Sequence, residues 1–197
     1  MKHANLLIFP VLVWSMSAWA QDPVVETPSV EIPQSPASGT EIPTPPTPGD
    51  PPAGPAPAPE GFAVMAGAAN LYAIAACELA IEKLQDESLA DLAERFRDDH
   101  QQLQDALQVS AETQSVSFDP KLTADAKRKL TDLESAPEDQ VDAVFLSGLM
   151  VEHQKALELY ALYGEKGSAG ALKDFARNAY PMLWNHFQLA RVQSAQE

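Results

Sequence analysis

Three histidines and several acids stand where a helical repeat calls for apolar residues. One apolar line runs Leu89, Leu92, Phe96, then Asp99 and His100 together, then Leu103 and Leu107. A second gives Phe145, Leu149, His153, Ala156 and Tyr160, with Asp142 three turns before the histidine. A third gives Phe175, Ala179, Met182, His186 and Ala190, and a fourth Leu71, Ile74, Glu78 and Ile81. Residues three and four apart share a helix face, so these polar groups are expected to face a core. Burying them without partners costs on the order of several kcal/mol, so they must pair with one another or with a cation. Imidazole and carboxylate are ordinary transition-metal donors, which makes Glu78, Asp99, His100, Asp142, His153 and His186 the candidate metal set.

A second reading needs no metal. Carboxylate–histidine ties, such as Asp142 with His186 or Glu78 with a neighbouring histidine, fix helix register by themselves. Di-iron chemistry of the ferritin kind needs Glu-x-x-His on two helices, and Arg97 and Met150 occupy the glutamate positions before His100 and His153. Met150 with His153 and Met182 with His186 share faces, and thioether with imidazole suits copper; otherwise the methionines fill core gaps. The cofactor implied is a transition metal, copper, zinc or iron. No nucleophile elbow, phosphate-binding glycine loop or Cys-x-x-Cys is present, so no enzyme reaction and no catalytic residue is proposed.

The elements that must position these residues begin at Gly61, where prolines nearly vanish and helical spacing sets in. The pattern predicts helices over 62–85, 88–112, 123–134, from Ser135 to about Gly164, and from Ser168 to the end. Ser88 with Asp91 reads as a capping box, Ser135-Ala136-Pro137-Glu138 as a helix start, and Pro181 as a kink. Nothing in this region alternates like a strand. Four long amphipathic helices and one short one predict an all-α, ferritin-like four-helix bundle. The long link after the second helix is expected to cross the bundle, while simple up-and-down connectivity stays open. At about 1.5 Å per residue the crossover brings Glu78, His100, His153 and His186 into a band about 10 Å tall, with His100 level with His153.

Residues 1–20 read as a signal peptide: Lys2, the apolar run Leu6 to Val13, then Ala18-Trp19-Ala20 before cleavage. The apolar run is short for a membrane span, and no later segment is expected to be apolar for long enough to cross one. Residues 21–60 hold 13 of the 17 prolines, because only Pro10, Pro120, Pro137 and Pro181 lie elsewhere. That stretch is expected to be a disordered, extended linker to the 61–197 bundle. An exported, periplasmic location follows, with no transmembrane span after cleavage.

The chain carries 28 acidic and 13 basic residues, a net charge of −15. Such a surface disfavours nucleic acid and suits metal cations or a basic protein of the cell envelope as partners. The one cysteine, Cys77, has no internal disulfide partner and sits among alanines, where it serves as a small apolar residue.

Taken together, the motifs Phe96-Arg97-Asp98-Asp99-His100, Val141-Asp142-Ala143-Val144-Phe145, Met150-Val151-Glu152-His153 and Pro181-Met182-Leu183-Trp184-Asn185-His186 resemble the bacterial family called domain of unknown function 4142. The resemblance spans about Met65 to Val192 and implies an exported, ferritin-like helical bundle with no assigned catalytic residues. It puts the family's characteristic positions at Glu78, Asp99, His100, Asp142, His153 and His186. Phe145 replaces the usual tyrosine, and Val141 the usual phenylalanine, which removes one hydroxyl. Two functions fit these residues: a metal-binding exported bundle, or an envelope interaction or stress protein whose buried cluster is a hydrogen-bond network only.

Overall fold

The computed structural model describes residues 54–196, so the signal peptide and most of the linker expected from the sequence lie outside the described residues. Five helices and one 3-10 turn account for it: α1 (Pro59–Ile81), α2 (Glu87–Thr113), α3 (Ala124–Ser135), the turn Glu138–Gln140, α4 (Val141–Lys166) and α5 (Ala171–Ser194). No strand occurs among the described residues. Four long helices form the bundle, with α1 packed on α2 and α4, and α5 packed on α2 and α4.

Helix starts follow local chemistry, in places different from that predicted. Pro59 opens α1 from its first turn, where its missing N–H leaves no bond unmade. The cap of α2 is Asp86, whose Oδ1 accepts from the N–H groups of Ser88 (2.7 Å) and Leu89 (3.1 Å), so Ser88 lies inside the helix instead of capping it. Thr123 caps α3 by accepting from Ala126 N–H at 3.0 Å. Ser135 ends α3, its hydroxyl bonded back to Thr131 O at 2.7 Å, and α4 starts only after the proline and a 3-10 turn. Helix α5 runs unbroken through Pro181.

The link from α2 to α4 crosses the bundle. A side chain on Gly67, near the start of α1, would meet Pro120 at 2.7 Å. Lys83, beyond the end of α1, donates to Leu133 O at 3.2 Å and also to Glu134 O at the end of α3. Helix α3 therefore climbs alongside α1 and delivers the chain to the opposite end, where α4 begins. α1 and α4 are antiparallel, since Phe62 stacks on Tyr163 (centroids 4.0 Å) while Tyr72 meets Gly148. α2 and α5 are also antiparallel: Gln114 Oε1 accepts from Leu172 N–H at 3.1 Å, and Asp99 meets His186 at 3.0 Å. This crossover topology is the ferritin-like arrangement that the sequence pattern predicts.

The inward face of α1 is the main departure. It is made of small residues, Ala63, Ala66, Gly67, Ala73, Ala76, Cys77 and Ala80, with Phe62 and Tyr72 as its large members and Asn70 as its one polar group. Leu71, Ile74 and Ile81 are only partly buried, and Glu78 is exposed, which corrects the expectation that this line faces inward. The small face lets neighbouring backbones approach, and Gly148 of α4 has no room for a side chain because the Tyr72 hydroxyl occupies it. Part of the outer face is covered by α3. With apolar residues all round, α1 is long and apolar enough by length and composition to cross a membrane, contrary to the expectation that no later segment would be. Half of its most apolar stretch is buried inside the bundle. Cys77 is free and fully buried, and burial pushes its thiol up to about 12, in keeping with a packing role.

Candidate metal centre

His100 on α2, His153 on α4 and His186 on α5 converge at mid-bundle, each at most 3% exposed. Their ring centroids lie 5.1, 5.3 and 5.6 Å apart. One nitrogen from each ring can be chosen so that all lie within 4.8 Å of one another. Phe96, one turn before His100, stacks on the His186 ring at 4.0 Å and closes that side with an apolar plate.

Hydrogen bonding decides which nitrogens are bare. His153 Nδ1 lies 2.9 Å from the Leu149 carbonyl, which only accepts, so Nδ1 carries the proton and Nε2 keeps a lone pair. His186 Nε2 lies 3.0 Å from Asp99 Oδ2, so it donates there, and Nδ1 is left buried with no partner. Asn70 Nδ2 faces Gln104 Oε1 (3.2 Å) and its Oδ1 faces His100 Nδ1 at 3.1 Å; in the tautomer that donates to this oxygen, His100 Nε2 is bare as well. His100 Nε2 and His153 Nε2 then face each other at 3.2 Å with two lone pairs and no proton between them. Two ligands of a tetrahedral zinc, each about 2.05 Å from the ion, stand about 3.3 Å apart. A cation between the two nitrogens converts an unfavourable contact into two bonds.

Electrostatics prepare the rings for this. Burial, aided by the neighbouring rings, holds His100 well below the usual histidine range. Burial, with His186, pushes His153 down to about 3. Burial also lowers His186, against the raising effect of Asp99. All three are neutral at pH 7, so a metal displaces no proton from them. Each ring's second nitrogen is anchored to an oxygen, the arrangement that orients metal-bound imidazole.

The other residues expected at the site take different places. Asp99 is an outer partner, half-buried and bonded to His186. Glu78 is exposed and takes no part in the cluster. Asp142 sits in the first turn of α4 with one oxygen buried and unpartnered, and burial together with Asp86 raises its carboxyl above the usual range. Asp86 caps α2, so this pair marks the far end of the bundle, and the expected Asp142–His186 tie does not form. Met150 packs in the apolar core and Met182 against it. Asn70 was absent from the expected set, although it is the only polar residue on the small-residue line of α1.

A profile of DUF4142, a domain of unknown function, matches residues 44–192. The chain belongs to the DUF4142 family. No curated protein matches the chain. Among solved structures, the DUF4142 chain is similar to the crystal structure of a DUF305 fragment from Deinococcus radiodurans, with a TM-score of 0.63 and 13% identity over 73% of this chain and 100% of that one. At that identity the likeness speaks for the helical fold alone.

Proposed function

We propose that this DUF4142 protein is an exported module that binds a transition-metal ion between α2, α4 and α5, with His100, His153 and His186 as the ligands. The observation that carries the reading is the contact of two bare imidazole nitrogens at 3.2 Å, beside a third buried nitrogen that has no partner. A purely structural tie needs a proton in each contact, and with His100 protonated on Nδ1 the protons are spent on Leu149, Asn70 and Asp99. Three neutral nitrogen donors without sulfur suit zinc, copper(II) or iron(II) better than copper(I). The export half of the reading rests on the signal-peptide pattern of residues 1–20, and the net charge of −15 favours accumulation of cations at the surface.

The test is thermal unfolding of untagged protein, prepared without chelators, against copper, zinc, iron and manganese. A metal at 100 times its dissociation constant is expected to add about 2.7 kcal/mol to the parent. His153→Ala and His186→Ala are expected to lose that gain. If no metal stabilises the parent at pH 7 while both variants still lose stability, the rings are helix ties and the metal reading falls.

A further inference from the structure

Beside the rings of His100 and His153, though not that of His186, lies a cavity of ≈ 10 Å³, lined also by Asn70, Glu152, Tyr160 and Leu183. That is about the space of one water molecule. Tyr160 is 1% exposed, and its hydroxyl is buried without a hydrogen-bond partner among the described residues. Helical side chains lean toward the N-terminus of their helix, so Tyr160, two turns after His153 on α4, reaches back toward that ring. An orphaned buried hydroxyl is costly; the Asn70 amide is committed to Gln104 and His100 and the His153 Nδ1 proton to Leu149, and none of the acceptors that line the cavity, the bare ring nitrogens and the Glu152 carboxylate, is bonded to it.

We propose that the three histidines leave one coordination position open toward this cavity, that the position takes water or an anion of water's size, and that the Tyr160 hydroxyl donates a hydrogen bond to that ligand. The inference rests on the metal reading above and adds to it the ligand class and a positioning residue. Three neutral rings compensate none of an ion's charge, which favours an anion at the fourth place, and three protein ligands with one open position is the arrangement of zinc sites that exchange a ligand. A way in exists. A groove of ≈ 270 Å³ between α1, α3 and α4 shares Ala69, Glu152 and Ala156 with the cavity, so these three residues form the partition between the rings and solvent.

The experiment loads the full chain with Co(II) and follows its visible absorption while fluoride, then azide, is added. Fluoride matches water in size and accepts a hydrogen bond, so it is expected to change the spectrum at lower concentration than the longer azide. Tyr160→Phe is expected to weaken fluoride about tenfold, the effect of one lost hydrogen bond to a charged acceptor. The same variant should bind Co(II) as the parent does and melt no lower in the metal-free state, since it removes a hydroxyl that bonds to nothing. Tyr163→Phe, one turn further on and stacked on Phe62, serves as the control with unchanged fluoride affinity. A Co(II) spectrum that ignores both anions, or equal fluoride affinity in parent and Tyr160→Phe, overturns the open position or the role of Tyr160 while leaving the metal reading intact. Absence of any Co(II) binding overturns both.

Discussion

Two polar clusters meet on α4 at adjacent residues, Glu152 and His153, and they solve the problem of polar groups in opposite ways. Around Glu152, five charges satisfy one another: Lys129 and Lys155 reach Glu152 at 2.7 and 2.8 Å, Lys155 reaches Asp125 at 3.0 Å, and Lys129 and Arg128 also contact Asp125. The network is partly open to water and lacks nothing. Around His153 the three rings are neutral and fully buried, and one nitrogen of each is left over. A closed set of opposite charges welds α3 to α4. An unfinished set of lone pairs has value only when something fills it.

The contrast can be pushed hardest with pH. Each buried ring is a weaker base when folded than when unfolded, so the unfolded chain binds more protons below about pH 6.5, and stability falls as pH falls. For His153 the loss begins near the unfolded value and is complete only near its folded value of about 3. The slope is about 1.4 kcal/mol per pH unit for each such ring. Denaturant unfolding between about pH 5.5 and 4 is therefore expected to be less steep in pH by that amount for His153→Gln. An unchanged slope would mean the ring is already protonated in the folded state.

A smaller effect sharpens the role of the anchoring oxygens. Asp99→Ala and Asn70→Leu leave the three ligands in place but free their rings, and each is expected to weaken metal binding by roughly 10–100-fold. Glu78→Gln and Asp142→Asn should leave affinity unchanged, because neither carboxylate reaches the rings; calorimetric titration of the four variants separates the groups. The smallest effect belongs to the charged network. Lys155→Met is expected to change stability by at most about 1 kcal/mol, in a manner that added salt removes, with no change in metal affinity. A salt-independent loss, or weakened metal binding, would show that the two clusters act as one.

Much of this was readable because long helices announce themselves by period, and because a histidine amid Leu103, Leu149 or Phe187 has no reason to be there unless it is used. The crossover was expected from the length of the link after the second helix, with up-and-down connectivity left open, and given the crossover, helix lengths put His100 level with His153. What misled was α1. Its large residues, Leu71, Ile74 and Ile81, outweigh alanine on any hydropathy scale, yet the face turned inward is the small one, chosen because it admits close neighbours. With the face rotated, Glu78 replaced Asn70 in the expected cluster. Asp142 failed for a different reason: a shared helix stripe says nothing of distance along the axis, and 11 residues separate it from His153 (153 − 142). Asp99 was found but not its role, since a ligand and the partner of a ligand look alike in sequence.

The crossing link has a consequence for the order in which the molecule assembles. The ring-to-ring contact of His100 and His153 joins residues 53 apart in the chain, and the Asp99–His186 bond joins residues 87 apart. Adjacent helices can zip into hairpins early, since little chain entropy is spent in bringing near neighbours together. Neither hairpin alone holds all three rings: α1 and α2 carry one, α4 and α5 carry two. The pocket of lone pairs exists only after the hairpins dock and α3 has spanned the bundle, which makes it a late event on the folding route. An ion that recognises it then acts on the finished protein, slowing its unfolding instead of guiding its collapse.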